Sequence, residues 1–187
     1  MIEAQYPGEY VATGDELDVI RRHIHLMRAM NRPVNILLTG DAGIAKTTLA
    51  LYLGHLTHTP VYLLNMHGDV RDDQLLGTVT ADLGWVDGAV PRAMRSGAIL
   101  ALEEVNMARP DTLAVLHGVL ADTRFIELTD CPDPALRLVR AHPDFIVVGT
   151  MNEGAGFSGV KAMNTAFRSR WSLVLRLTEL PADKLAA

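Results

Sequence analysis

Residues 40–47 read Gly-Asp-Ala-Gly-Ile-Ala-Lys-Thr, the spacing of the phosphate-binding loop G-x-x-x-x-G-K-[ST] except that Ala45 stands where the second glycine belongs. The chemistry open to such a stretch is anion binding. Backbone N–H groups of Gly40, Asp41, Ala42, Gly43, Ile44 and Ala45, continued by Lys46, Thr47 and Thr48 at the start of a helix, would form a concave cradle for phosphates. Lys46 would meet the β- and γ-phosphates of ATP, and the Thr47 hydroxyl would ligate Mg²⁺. The alternative is a chance glycine turn before a buried helix; strand, glycines, lysine and threonine falling in register argue against it. Ala45 is tolerated sterically if its φ is negative. With a positive φ it carries strain of roughly 1–2 kcal/mol, and the expectation is weakened rather than abolished binding.

A hydrolytic site needs carboxylates beside the phosphates. The apolar run Ala98–Leu102 leads directly into Glu103 and Glu104, placing both acids at the carboxyl end of a buried strand, the edge where open α/β sheets bind ligands. Glu103 would hold Mg²⁺, although it is one methylene longer than the usual Asp and must retract or shift the metal. Glu104 is the candidate general base that polarises the attacking water; a solvated acidic turn is the alternative for the pair. Asn152, ending the run Phe145–Thr150 and Met151, could hydrogen-bond the γ-phosphate or the water, or simply favour a turn before Gly154. Arg168 and Arg170 precede the last strand. Either could be an ordinary surface charge, or an arginine finger donated to a neighbouring subunit.

These groups must be held by an α/β framework. Short apolar runs at Asn35–Thr39, Val61–Asn65, Ala98–Leu102, Phe145–Thr150 and Trp171–Leu177 read as strands covered on both faces. Helical patterns lie between them. Asp15–Met30 carries Leu17, Ile20, Ile24 and Met27 as an apolar stripe, Lys46–His55 follows the loop, and Pro110–Ala121 opens with proline in its first turn. A shorter helix is expected over Val160–Ser169, a turn or hairpin tip at Gly84–Gly88, and a two-stranded excursion from Arg124–Leu128 and Leu136–Val139. The fold class predicted is a three-layer α/β/α sandwich with a mainly parallel five-stranded sheet.

Composition bounds the function classes. Formal charge is −5, from 17 basic and 22 acidic residues with no basic block, so nucleic acid is not an advertised partner. No apolar run approaches the roughly 20 residues of a membrane span, and the N-terminus lacks the apolar stretch of a secretory signal. A single cysteine, Cys131, excludes an intrachain disulfide framework and suggests a reducing compartment. A soluble, cytoplasmic domain is the expectation. His23, His25, His55 and His58 have no Cys or acid nearby to complete a ligand set, and surface or capping roles are expected. Met27, Met30, Met94 and Met107 read as packing.

Taken in order, Gly40–Thr47, then Trp85-Val-Asp-Gly-Ala-Val-Pro-Arg-Ala-Met-Arg-Ser-Gly97, then Ile99-Leu-Ala-Leu-Glu-Glu-Val-Asn-Met-Ala-Arg-Pro110, Gly149-Thr-Met-Asn152 and Ala166-Phe-Arg-Ser-Arg-Trp171 resemble the AAA+ ATPases. The likeness is to the MoxR-like, dynein-related branch, with the CbbQ and NorQ activators and the cobaltochelatase small subunit, and it covers about Tyr10 to Leu180. The resemblance implies that Gly40, Gly43, Lys46 and Thr47 are Walker A positions, Glu103 and Glu104 Walker B, Asn152 sensor 1, and Arg168 or Arg170 the finger acting in trans. It implies a ring, usually a hexamer, with ATP between subunits, and an insertion hairpin around Leu76–Asp87 facing the ring axis or partner. It also implies a protein client, commonly with a von Willebrand A-type partner. The helical lid of this family has no room after the final strand, so residues 1–187 are expected to form one core domain without it.

Three functions compete. The first is an ATP-hydrolysing module that remodels or activates a protein. The second is a nucleotide-dependent assembly switch with little turnover, favoured by Ala45 and Glu103. The third, a small-molecule kinase, needs neither Asn152 nor the arginines and lacks a recognisable acceptor pocket.

Overall fold

The central sheet has strand order β2-β5-β8-β1-β9 with every pairing parallel. In chain order, α1 (Glu16–Ala29) leads to β1 (Val34–Gly40), α2 (Lys46–Thr57), β2 (Val61–Asn65), α3 (Asp72–Leu75), β3 (Gly77–Thr80), β4 (Gly84–Asp87), α4 (Ala89–Ser96) and β5 (Ile99–Glu103). After a 3₁₀ turn at Val105–Met107 come α5 (Pro110–Leu120), β6 (Phe125–Glu127), α6 (Pro134–Arg137), β7 (Leu138–Arg140), β8 (Ile146–Asn152), α7 (Thr165–Arg168) and β9 (Leu173–Arg176). The computed structural model describes residues 4, 6, 8, 10–67, 70–153 and 165–179.

Alternation along the strands builds two cores, as the pleat requires. Ile36 and Leu38 of β1, Ile99 and Ala101 of β5, and Ile146 and Val148 of β8 pack with α1 and α2 through Ile20, Ile24, Leu49 and Leu53. Leu37, Leu100, Leu102 and Val147 face the other way, onto Met94 of α4, Leu116 and Val119 of α5, Phe167 and Trp171. Because both faces are covered, the strands carry unbroken apolar runs rather than alternating ones. The expected three-layer sandwich is therefore the observed fold, with each expected core strand present and its ends shifted by no more than two residues.

β1 sits between β8 and β9, and the chain next crosses to β2 at the far edge of the sheet. The carboxyl ends of β1, β5 and β8 thus open into one crevice, the general ligand site of such sheets. At the other end, the buried Arg124 guanidinium donates to the carbonyls of Val34 and Phe145 and to Asn35 Oδ1, tying β1 to β8. Burial pulls its pKa down to about 10.

Three expectations need correcting. Gly84–Gly88 is not a hairpin tip: Gly84–Asp87 is β4, paired antiparallel with β3, and the tip is residues 81–83. The pair is rich in Gly and Thr, so no apolar run marked it; Gly88 fits because a side chain there would lie 2.5 Å from the Leu75 carbonyl oxygen. Helix α4 was hidden behind that supposed turn and its own Pro91. In the excursion, β7 begins at Leu138, because Pro134 starts a helical turn that runs to Arg137. Met30 is exposed rather than packed. Of the helix expected over Val160–Ser169, Thr165–Arg168 is helical and residues 160–164 lie outside the described residues.

Candidate active site

The phosphate loop begins where β1 ends. Gly40 has φ 137°, and a side chain there would lie 2.6 Å from the Leu177 carbonyl oxygen, so only glycine lets the two backbones meet. Gly43 has φ 84°. Ala45, directly before α2, has φ 60° and ψ 27°, the left-handed conformation that strains a side chain. No side chain caps α2 and its first turn holds no acid, so its leading N–H groups face outward for an anion.

Lys46 is buried, and its ammonium donates to the carbonyls of Gly40 (3.0 Å) and Asp41. Burial lowers its pKa, against the pull of Asp41, Glu104 and Glu153. The Thr47 hydroxyl donates to Glu103 Oε1 at 2.6 Å. Glu104 follows in a left-handed turn, φ 52°; its amide donates to Thr150 Oγ1 at 3.1 Å, and its Oε1 accepts from Asn152 Nδ2 at 2.9 Å. Loop, acidic pair and Asn152 are therefore one constellation, with Lys46, Thr47, Glu103, Glu104 and Asn152 brought together from α2, β5 and β8.

The oxygens of Thr47 and Glu103 are hard donors in direct contact, and among the described residues no cluster of three or more His, Cys, Asp or Glu could hold a metal. That donor set fits Mg²⁺, which is held by one or two protein oxygens and takes its other ligands from phosphates and water. The charge balance points the same way: acids outnumber Lys46 here, so a triphosphate needs a further cation.

A cavity of about 290 Å³ adjoins the loop residues Ala42–Ala45, walled opposite by Tyr10, Val11 and Thr13. A larger one, about 390 Å³, opens at the other end of β1 beside Asn35 and Arg170; it has no loop of amides, and chemistry rather than volume selects the first. Arg168 and Arg170 are not brought to the site. The Arg170 carbonyl accepts from Asn35 Nδ2 at 2.8 Å, and Asn35 lies five residues before Gly40, roughly 16 Å by strand rise.

Three participants went unnoticed in the sequence. Thr150 lies two residues before Asn152 on the same strand face. Glu153 donates its amide to the Gly40 carbonyl (3.0 Å) and pairs with Arg176 Nε at 3.4 Å. The Tyr10–Thr13 wall is fixed by Glu16, whose buried carboxylate accepts from Tyr10 Oη (2.8 Å) and the amides of Thr13 and Gly14. Spacing from Asn152 was the only available signal, and it reached Thr150 alone. Of the two histidine pairs, His23 Nε2 meets Ser172 Oγ at 2.8 Å, and His58 ends α2 in a left-handed turn.

Residues 35–171 match the AAA domain family of the dynein-related subfamily. An uncharacterized protein of Staphylococcus epidermidis is 36% identical over 159 residues, covering 81% of this chain and 58% of that protein. One from Staphylococcus haemolyticus is 37% identical with the same coverage. The chain thus spans a little over half the length of these curated relatives. Among solved structures, the S. cerevisiae Hsp104–ADP complex superposes with TM-score 0.68 at 18% identity, over 94% of this chain and 35% of that one. A Thermotoga maritima RuvB mutant gives 0.65 at 15% identity, over 98% and 52%. At such identities the likeness is one of fold.

Proposed function

This chain belongs to the AAA domain family, dynein-related subfamily, and from that premise we propose that it binds ATP with Mg²⁺ and hydrolyses it to remodel or activate a protein partner. The observation that carries this is the 2.6 Å contact between Thr47 of the loop helix and Glu103 at the tip of β5, which supports a shared triphosphate and metal site. Lys46 leaves the Gly40 and Asp41 carbonyls for phosphate oxygens, and the leading amides of α2 take the rest. Thr47 and Glu103 would hold Mg²⁺, which would neutralise charge on the phosphate oxygens. Glu104 accepts a proton from the water that attacks the γ-phosphorus; the bond to the β-phosphate oxygen breaks, leaving ADP and inorganic phosphate. Asn152 steadies the Glu104 carboxylate through its side-chain amide. The cavity beside Tyr10 and Thr13 is the place for sugar and base, since it shares the loop and is not lined by Glu103 or Glu104.

The finer assignment rests on the resemblance: a MoxR- or CbbQ-like activator, a cytoplasmic hexameric ring, and a client of von Willebrand A type. Two observations support it. The hairpin of β3 and β4 occupies 77–87, where that branch carries its insertion, and Arg168 and Arg170 lie far from their own chain's loop, as a finger serving a neighbour would. No helix of the described residues is long and apolar enough to cross a membrane.

A second reading, a binding switch with little turnover, is favoured by the same Thr47–Glu103 contact. The longer carboxylate closes on the hydroxyl itself and must retract to admit the metal. Phosphate release decides between them. Under the hydrolase assignment, Glu104→Gln binds ATP normally and releases phosphate at least about 100-fold more slowly. An unchanged rate removes Glu104 as the base, and a wild type that binds ATP without releasing phosphate establishes the switch.

A further inference from the structure

Glu104 is held in an unfavourable backbone conformation, and the contact that holds it comes from a residue outside the proposed chemistry. Strand β5 pairs with β8 from Ile99↔Ile146 to Leu102↔Gly149 and then leaves the ladder. Two residues later, Glu104 adopts φ 52°, ψ 48°. A side chain in that region is strained and persists only where its surroundings over-determine it. Its amide, with no strand carbonyl opposite, donates instead to the Thr150 hydroxyl at 3.1 Å. Thr150 itself is buried, with 4% of its surface exposed. On the same face of β8, Asn152 holds the Glu104 carboxylate at 2.9 Å. One strand face thus grips the residue twice, once by its backbone and once by its side chain.

We propose that Thr150 is a positioning residue for hydrolysis: its side-chain oxygen stands in for the missing ladder acceptor and fixes the left-handed turn that aims the Glu104 carboxylate. This rests on Glu104 being the water-activating base. Replacing the hydroxyl by a methyl leaves the amide without its acceptor and frees the turn to relax, while the phosphate loop is untouched. The loss therefore falls on turnover and spares nucleotide binding.

The test compares Thr150→Val, which keeps shape but removes the acceptor, with Thr150→Ser, which keeps the oxygen. Phosphate release and direct ATP binding are measured for both. Expected for Thr150→Val is a fall in kcat of roughly 10- to 100-fold, as for a misplaced catalytic group, with ATP affinity unchanged, which also shows that the variant is folded. Thr150→Ser keeps most of the wild-type rate. Added to Glu104→Gln, Thr150→Val slows release no further, since it acts through that carboxylate. A wild-type rate in Thr150→Val, equal slowing by Thr150→Ser, joint loss of binding and rate, or additive slowing in the double variant overturns the inference. Should Glu104→Gln itself keep the full rate, or the wild type release no phosphate, the base assignment falls first and this inference with it.

Discussion

At the scale of single residues, Ala45 bears on stability and affinity differently than its place in the loop suggests. Its φ is 60°, a strain of roughly 1–2 kcal/mol; a loop that keeps this turn with and without nucleotide carries that strain in both states, and it cancels from binding. What reaches affinity is only the closeness of a methyl group to phosphate. Glycine would relieve the strain but adds unfolded-state freedom worth roughly 0.5–1 kcal/mol. The expected result for Ala45→Gly is a gain of up to about 1.5 kcal/mol in unfolding free energy, with the ATP dissociation constant changed less than about threefold. Denaturant unfolding and titration calorimetry check the two halves. A tenfold tighter complex, about 1.4 kcal/mol, would mean that the free loop does not hold the left-handed turn.

At the scale of elements, the strands and the helices around the loop were legible because double coverage demands unbroken apolar runs, and three of the five core strands end in residues proposed for the chemistry: Gly40, Glu103, Asn152. What was illegible depends on contacts across the chain. The β3–β4 pair has no apolar signature and was reached only through the family resemblance, and Thr150 acquires its proposed role only because β5 leaves the ladder beside it. The segment before α1 was likewise silent, yet Glu16 organises it. Burial would raise the Glu16 pKa, but hydrogen bonds from its own backbone amide, Tyr10, Thr13 and Gly14 outweigh that and hold it below the usual range. Burial and the neighbouring carboxylate push the Tyr10 hydroxyl up. With the folded pKa below the unfolded one, the stabilisation is complete above the ordinary carboxyl range and is lost as pH falls through the lowered folded value. Glu16→Gln is therefore expected to cost about 1–2 kcal/mol at pH 6, with the gap to wild type closing below about pH 4. Thermal unfolding between pH 6 and 3 measures it, and a gap that stays constant contradicts the carboxylate's role.

At the scale of the whole molecule, the site gathers the proposed residues of α2, β5 and β8 but not the proposed arginines, and Arg170 sits at the far end of β1. A neighbouring copy would supply them if the assembly is a ring. Sedimentation with and without ATP–Mg²⁺ is expected to show a nucleotide-dependent rise in mass. Chains with Arg168→Ala and Arg170→Ala, mixed with Lys46→Ala chains, are expected to recover part of the activity that both lack alone. Arg168→Ala and Arg170→Ala chains that keep the full rate on their own would assign the arginines to the surface, and mixtures that stay inactive at a mass showing co-assembly would contradict action in trans.

The carbonyl of Leu177 rests where any side chain on Gly40 would be, and the Leu177 amide donates to the Thr39 carbonyl at 2.8 Å. The exit of the last strand and the entrance of the loop are thereby clamped. A shift of Leu177 at the end of β9 is therefore passed directly to Gly40 and the loop backbone that follows it.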